Sequence, residues 1–128
     1  MFGPKRKIQI LVVDDEPTVS STIRRILEKR GYSVTTFENP LAALDWIKTD
    51  PCDLILTDLK MPQMDGIQFL TQIKRLQPAV PVILITAYST IDTAVMAIKY
   101  GGFDYLQKPF DVQKIYEVVQ RALDSTQK

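Results

Sequence analysis

The chain has 128 residues, of which 45% are hydrophobic and 24% charged, and this length suits one domain with its own core. With one cysteine and no histidine, it has no means of forming an intrachain disulfide, a cysteine-based zinc site or a Ser-His or Cys-His catalytic pair. The 16 Lys and Arg residues balance 15 Asp and Glu residues to a net charge of +1, so no basic excess indicates nucleic-acid binding, and no apolar run is long enough to span a membrane. We therefore expect a soluble cytoplasmic domain whose chemistry comes from carboxylates, lysine, hydroxyl groups or tyrosine.

Short β-branched runs alternate with longer segments of helical period along the whole chain. The first half predicts strands at 8–13, 33–37 and 54–57, and the helices between them carry the apolar stripes Val19, Ile23, Ile26 and Leu27, and Leu41, Leu44 and Ile47. The second half predicts strands at 82–86 and 105–107, and its helices carry the stripes Ile67, Leu70 and Ile73; Ile91, Ala94, Val95 and Ile98; and Val112, Ile115, Val119 and Ala122. This alternation of five strands with five helices predicts an α/β fold built on a parallel sheet.

Proline and glycine mark the ends of these elements. Pro17 suits the first turn of a helix, Gly31 follows the first helix, and Gly101 follows the fourth. No linker, repeat or low-complexity tract interrupts the pattern. The sequence therefore predicts a single domain over residues 1–128.

Polar side chains follow the predicted strands at the point where each strand ends. Asp14, Asp15 and Glu16 follow the first strand, and Asp58 follows the third. Thr86 ends the fourth strand, and Lys108 comes directly after the fifth. Because parallel strands end at the same edge of a sheet, where open α/β folds bind their ligands, we expect these groups to meet in one crevice.

Asp14, Asp15 and Asp58 would form a cluster of three carboxylates that repel one another unless a cation neutralises them. Oxygen ligands without His or Cys favour a hard ion such as Mg²⁺, which bridges carboxylates to phosphate groups. A carboxylate beside a cation, a hydroxyl and a lysine suits phosphoryl transfer. Asp58, alone at the end of a central strand, is the best candidate to carry the phosphoryl group.

Each of these residues also has a purely structural interpretation. Acids before a helix, such as Asp14 and Asp15, complement the helix dipole. Thr86 by itself suits a β-branched strand position, and Lys108 by itself suits an exposed turn. Their convergence on one sheet edge favours a functional site.

The motifs that carry these residues resemble the receiver domain of two-component response regulators over about residues 8–122. Asp14 and Asp15 in LVVDDEP are similar to the acidic pair of that family, and Asp58 in LILTDLKMPQMDG to its phosphoacceptor. Thr86 in VILITAY is similar to its switch hydroxyl, and Lys108 in YLQKPF to its site lysine. The resemblance implies a flavodoxin-like, doubly wound five-stranded sheet of order 2-1-3-4-5. It also implies that a sensor histidine kinase transfers phosphate to Asp58 with Mg²⁺.

The resemblance implies roles for individual site residues as well. Asp15, Asp58 and the backbone carbonyl of Lys60 would bind Mg²⁺ directly, and Asp14 would act through water. The Lys108–Pro109 bond is a candidate for the cis form, which is accessible at modest cost only to X-Pro bonds. Lys60 and Tyr88 are expected to tune the lifetime of the phosphoryl group.

A switch mechanism follows from the same resemblance. Thr86 would move towards the phosphoryl group, and Tyr105 would rotate into the space that Thr86 leaves. This change would alter the surface of the fourth helix, fifth strand and fifth helix, which includes Ile91, Met96, Tyr100 and Lys114. An output domain or downstream protein would bind there, and a phosphorylation-dependent homodimer is a further expectation. Tyr105 as an ordinary core aromatic, and Met96 and Tyr100 as ordinary surface residues, remain open alternatives.

The segment from Ile85 to Phe110 is similar to receivers of the nitrogen-regulatory type, which precede an ATPase domain and a DNA-binding domain. We expect either a piece of such a transcription regulator or a single-domain relative, acting as a signalling domain rather than an enzyme. The main alternative is a haloacid-dehalogenase-like phosphatase, although that family places a second acid two residues after its nucleophile, where this chain has Lys60. A flavodoxin-like nucleotide or flavin module is a third possibility, but it would need a phosphate-binding loop where this chain has acids.

Overall fold

Among the described residues, five strands and four helices account for most of the regular structure, together with one short pair of strands. The computed structural model describes residues 7–58, 60–61, 64–87, 95 and 98–126. Its elements, in chain order, are β1 (Gln9–Val13), α1 (Pro17–Glu28), β2 (Ser33–Phe37), α2 (Pro40–Thr49), β3 (Leu54–Asp58), β4 (Lys60–Met61), β5 (Met64–Asp65), α3 (Gly66–Leu76), β6 (Val82–Thr86), β7 (Asp104–Gln107) and α4 (Val112–Asp124).

The five longer strands form one parallel sheet in the order β2-β1-β3-β6-β7. Counted among themselves, these strands have the predicted order 2-1-3-4-5. Every residue of the central strands β3 and β6 is buried, as expected for a parallel sheet that is covered on both faces. The predicted α/β fold is confirmed. The two-residue strands β4 and β5 pair antiparallel beside this sheet and were not predicted, because two residues show no period.

Alternate residues of the strands feed two separate hydrophobic cores. On one face of the sheet, α1 and α4 contribute Ile23, Leu27, Ile115 and Val119 to the first core. On the other face, α2 and α3 contribute residues such as Ile47 to the second core. The sheet is therefore the middle of three layers, and its carboxyl edge is held from both sides.

Local signals in the sequence set the helix ends. Pro17 occupies the first turn of α1, and Gly31 follows that helix with a φ of +86°, a conformation that glycine adopts without strain. Asn39, Asp65 and Asp111 precede α2, α3 and α4, and each side chain accepts a hydrogen bond from the backbone N–H two residues later.

The predicted helix stripes are wider than the buried helix faces. Leu41, Val95, Ile98 and Val112 belong to the predicted stripes but are exposed. Of the predicted fourth helix, Val95, Ile98 and Lys99 are helical, whereas 88–94, 96 and 97 lie outside the described residues. Within the described ranges, no helix combines the length and apolar character that crossing a bilayer requires.

Candidate functional site

The carboxyl edge of the sheet brings together side chains from three strand ends. Asp14 directly follows β1, Asp58 is the last residue of β3, and Lys108 directly follows β7. The Nζ atom of Lys108 lies 3.3 Å from Oδ2 of Asp14 and 3.3 Å from Oδ2 of Asp58. Thr86 ends β6, the strand between β3 and β7, and its carbonyl accepts a hydrogen bond of 2.8 Å from the Lys108 N–H. The predicted meeting of these residues at one edge therefore occurs.

Lys108 has a third acidic neighbour. Its ammonium group donates a hydrogen bond of 3.0 Å to Oε1 of Glu16, the shortest of its three contacts with carboxylates. Burial by itself lowers the pKa of Lys108, but the hydrogen bond to Glu16 and the charges of Asp14 and Asp58 outweigh it and raise the pKa above its usual value. Lys108 therefore stays protonated throughout the physiological range.

Asp14 is the most deeply buried acid of the site. Its exposed fraction is 0%, and its Oδ1 accepts a hydrogen bond of 2.9 Å from the Glu16 N–H. Its Oδ2 is buried and accepts no hydrogen bond, although Lys108 is close enough for an ion pair. Burial raises the pKa of Asp14 from 3.8 to about 6; the Glu16 N–H opposes this rise, and the charge of Asp58 adds to it.

Four carboxyl groups of the described residues form one cluster. Asp14, Asp15, Glu16 and Asp58 each offer a carboxylate oxygen, and these atoms all lie within 4.8 Å of one another. A set made only of oxygen ligands fits a hard divalent cation. The Asp14 oxygen that lacks a hydrogen bond supports this fit, because a buried carboxylate oxygen normally has a donor or a cation.

Comparison with known proteins connects this edge to a family. A family model described as the response regulator receiver domain matches residues 10–120. The chain belongs to the response regulator receiver domain family. It is therefore a signalling domain, and nothing in these similarities supports the haloacid-dehalogenase alternative.

Curated relatives place this receiver domain within the nitrogen-regulatory type. It is 43% identical over 116 residues to the DNA-binding transcriptional regulator NtrC of Klebsiella pneumoniae, covering 91% of this chain and 25% of that protein. It is 42% identical over 120 residues to the transcriptional regulatory protein ZraR of Klebsiella oxytoca, covering 94% and 27% respectively. The chain thus spans about a quarter of the length of these relatives.

Solved structures agree with the fold. The beryllofluoride-activated NtrC4 receiver domain dimer matches this receiver domain with a TM-score of 0.87 and 37% identity, covering 92% of this chain and 98% of that one. A CheY-like receiver domain protein from Methanospirillum hungatei JF-1 matches with a TM-score of 0.89 and 28% identity, covering 94% and 97%. The flavodoxin-like architecture predicted from the sequence is therefore confirmed.

The two residues expected to switch lie on neighbouring strands of the receiver domain. Thr86 at the end of β6 is 4% exposed and lies opposite Gln107 of β7. Tyr105 of β7 lies opposite Leu84, is partly buried and packs against the second core. The half-buried position of Tyr105 agrees with both the switch and the core interpretation.

Other predicted positions are placed only in part. The backbone of Lys60 pairs with Asp65 in the short β4-β5 ladder, and the Lys108–Pro109 bond is cis, as the resemblance implies. Tyr100 is 40% exposed and Lys114 is exposed. The predicted positions Tyr88, Ile91 and Met96 lie outside the described residues.

Glu16 is the residue that the sequence prediction missed. In the sequence it is only a third acid after the first predicted strand, and the pattern indicates no role for it. Its position directly after Asp14 and Asp15 was the available signal, but the sequence does not reveal that its side chain reaches Lys108, 92 positions away.

Proposed function

We propose that this receiver domain accepts a phosphoryl group on Asp58 from the phosphohistidine of a sensor histidine kinase. The observation that supports this choice best is the position of Asp58 at the end of β3, with Lys108 Nζ 3.3 Å from its Oδ2. Asp14 is less suitable, because it is fully buried and its Oδ1 already accepts a hydrogen bond from the Glu16 N–H. Asp58 keeps 7% exposure at the edge where a donor would approach.

The reaction is a transfer between two nucleophiles. A carboxylate oxygen of Asp58 attacks the phosphorus atom of the phosphohistidine, and a P–O bond forms as the P–N bond breaks. The imidazole of the kinase leaves with the bonding electron pair and takes up a proton from solvent. Later attack by water on phosphorus releases inorganic phosphate and restores the carboxylate, so the chain acts as a phosphoacceptor and not as an enzyme that turns over an external substrate.

Mg²⁺ is the cation that suits this site. Asp15, Asp58 and the backbone carbonyl of Lys60 would hold it directly, and Asp14 would hold it through water. When bound, Mg²⁺ neutralises negative charge on the carboxylates and on the phosphoryl oxygens. Lys108 places a further positive charge at Asp58, where the charge of the phosphoryl group develops.

Phosphorylation then changes the partner surface. Thr86 donates its hydroxyl to a phosphoryl oxygen, and Tyr105 moves inward behind it. The shift alters the surface formed by β7, α4 and the predicted fourth helix, which precedes β7 in the chain and is distinct from α4. This surface controls an output domain, a downstream protein or a second copy of the chain. The dimer named in the NtrC4 comparison supports the last of these.

The relatives support a proposal for the biological setting. Both NtrC and ZraR are named as transcriptional regulators, so we assign this receiver domain to cytoplasmic control of transcription through an output domain. The receiver itself, one domain over 1–128 with a core at about 8–122, contacts neither nucleic acid nor membrane.

The test is incubation with acetyl phosphate and Mg²⁺, followed by measurement of the intact mass. Wild type and the control Asp45→Asn, which alters an exposed acid on α2, are expected to gain one phosphoryl group that alkali removes, as an acyl phosphate requires. Asp58→Asn is expected to gain none. An adduct of equal yield on Asp58→Asn would overturn the assignment, and rapid turnover of an external phosphate ester would revive the phosphatase alternative.

A further inference from the structure

The contacts of Lys108 are unequal, and the shortest is made to the residue with the greatest freedom. Its ammonium nitrogen lies 3.0 Å from Glu16 and 3.3 Å from both Asp14 and Asp58. The side chain of Glu16 is 59% exposed, whereas those of Asp14 and Asp58 are 0% and 10% exposed. Glu16 is therefore the carboxylate that water can most readily solvate when Lys108 moves away.

A phosphoryl group on Asp58 adds new acceptors for the same ammonium group. A lysine ammonium has three donors, and three carboxylates already surround Lys108 before any phosphoryl group arrives. The phosphoryl group attaches to one of these carboxylates and replaces its single negative charge by about two, carried on the phosphoryl oxygens. When the ammonium group moves towards the phosphoryl oxygens, its contacts with Asp14 and Glu16 would lengthen, and releasing the exposed Glu16 costs least because water can solvate its carboxylate.

We propose that Glu16 is a positioning residue that holds Lys108 in the unphosphorylated state and releases it to the phosphoryl group on Asp58. The inference rests on the proposed function, because it assumes that Asp58 is the phosphoacceptor. It assigns Glu16 an opposing role: the Glu16–Lys108 contact stabilises only the resting state. Glu16 thus sets how readily the domain enters its phosphorylated state.

The exchange rate of the Lys108 ammonium protons with water measures the Glu16–Lys108 contact in the unphosphorylated state. In metal-free protein, Glu16→Gln is expected to speed the exchange of these protons with water, observed by nitrogen-detected NMR of the lysine side chains. The matched control is Glu28→Gln, since Glu28 is an exposed glutamate on α1 that pairs with Arg24 at 3.1 Å. Unchanged exchange in Glu16→Gln would overturn the inference.

The release of Lys108 by Glu16 is tested by measuring the affinity of the protein for beryllofluoride, a phosphoryl mimic, at saturating Mg²⁺. Glu16→Gln is expected to bind beryllofluoride about two- to fivefold more tightly than wild type, the range of an exposed ion pair. Glu16→Ala should bind at least as tightly, and Glu28→Gln should match wild type. Equal or weaker binding by both Glu16 variants would contradict the release of Lys108.

A double-mutant cycle separates this role from plain charge repulsion. In a Lys108→Met background, Glu16→Gln is expected to leave the beryllofluoride affinity unchanged, because the contact that it removes is already absent. The same gain in both backgrounds would show repulsion alone and overturn the inference. If Lys108→Met binds too weakly to measure, the exchange of the ammonium protons decides.

The wild-type titration distinguishes the two levels of the proposal. A wild-type chain that binds no beryllofluoride with Mg²⁺ overturns the phosphoacceptor function, and the role of Glu16 with it. A wild-type chain that binds normally while the Glu16 variants show no gain overturns only the role of Glu16.

Discussion

The Nζ atom of Lys108 lies 3.3 Å from Oδ2 of Asp58 although 50 positions separate the two residues in the sequence. Lys108 follows β7 and Asp58 ends β3, and β6 lies between these strands in the sheet. The lysine therefore reaches across the end of β6, where Thr86 is located. This contact forms only when all three strands are in register, so the pairing of Asp58 with Lys108 depends directly on the assembled fold.

Removing the ammonium group should separate phosphorylation from switching. Lys108→Ala is expected to accept phosphate from acetyl phosphate at reduced yield, yet to show no phosphorylation-dependent gain in partner affinity, because the phosphoryl group loses its cationic partner. Calorimetric titration of the phosphorylated variant with the output domain or partner measures this. Lys48→Ala, which alters an exposed lysine on α2, is the control. A gain equal to that of wild type would show that Lys108 has no part in the switch.

The same substitution should destabilise the metal-free protein. Without Lys108, the buried carboxylate of Asp14 and that of Asp58 lose their cation, and we expect a loss of about 1–3 kcal/mol in the free energy of unfolding. Mg²⁺ should restore most of this loss, since it neutralises the same charges. Urea denaturation with and without Mg²⁺ measures both effects, and an equal loss under the two conditions would contradict this explanation.

Asp14 should make metal-free stability fall as pH rises. Burial raises the pKa of Asp14 from 3.8 to about 6, so the folded state binds more protons than the unfolded chain between these values. The free energy of unfolding therefore decreases as pH rises from about 4 to 7, by about 3 kcal/mol from this residue. Asp14→Asn should remove that decrease, as measured by urea denaturation across the range. Parallel curves for wild type and variant would contradict the raised pKa.

Mg²⁺ should stabilise the folded chain at neutral pH. A cation that binds only the folded state adds about 2.7 kcal/mol at a concentration 100 times its Kd. We expect a rise in Tm with Mg²⁺ for wild type and for the control Asp45→Asn, and a much smaller rise for Asp15→Asn. Thermal unfolding followed by circular dichroism measures the shift. An undiminished shift in Asp15→Asn would remove that residue from the metal site.

The strands could be predicted because buried strands of a parallel sheet consist mainly of apolar, β-branched residues. All residues of β6 (Val82–Thr86) are buried between two helical layers, and a β-branched run is the pattern that such a strand requires. The sites after the strands followed from topology alone, since parallel strands must end together. For this reason the sequence alone predicts that Asp14, Asp58 and Lys108 lie close together.

Features that depend on a single side chain could not be predicted in this way. The exposure of Leu41 depends on how α2 is rotated against the sheet, and its apolar character contains no such information. The contact of Glu16 with Lys108 depends on two rotamers at positions far apart in the sequence. The β4-β5 pair is too short to produce a pattern.

Gly31 should tolerate few replacements although no atom crowds it. Its φ is +86°, and a Cβ atom added there would have no neighbour within 4 Å. Gly31→Ala is thus expected to cost about 1–2 kcal/mol through backbone strain alone, and Gly31→Asn should cost less. Both variants should accept phosphate as wild type does, because the site is distant. Urea denaturation measures the cost, and equal losses for both variants would contradict a conformational origin.

The central claim is that Asp58 itself becomes the acyl phosphate, and borohydride reduction tests it most directly. Wild-type protein is phosphorylated with acetyl phosphate and Mg²⁺ and then reduced, which converts an aspartyl phosphate to homoserine, and peptide mass spectrometry locates the change. The account predicts homoserine at position 58 and at no other acid of the cluster. Homoserine at position 14 or 15, or an unmodified position 58 in phosphorylated protein, would contradict it.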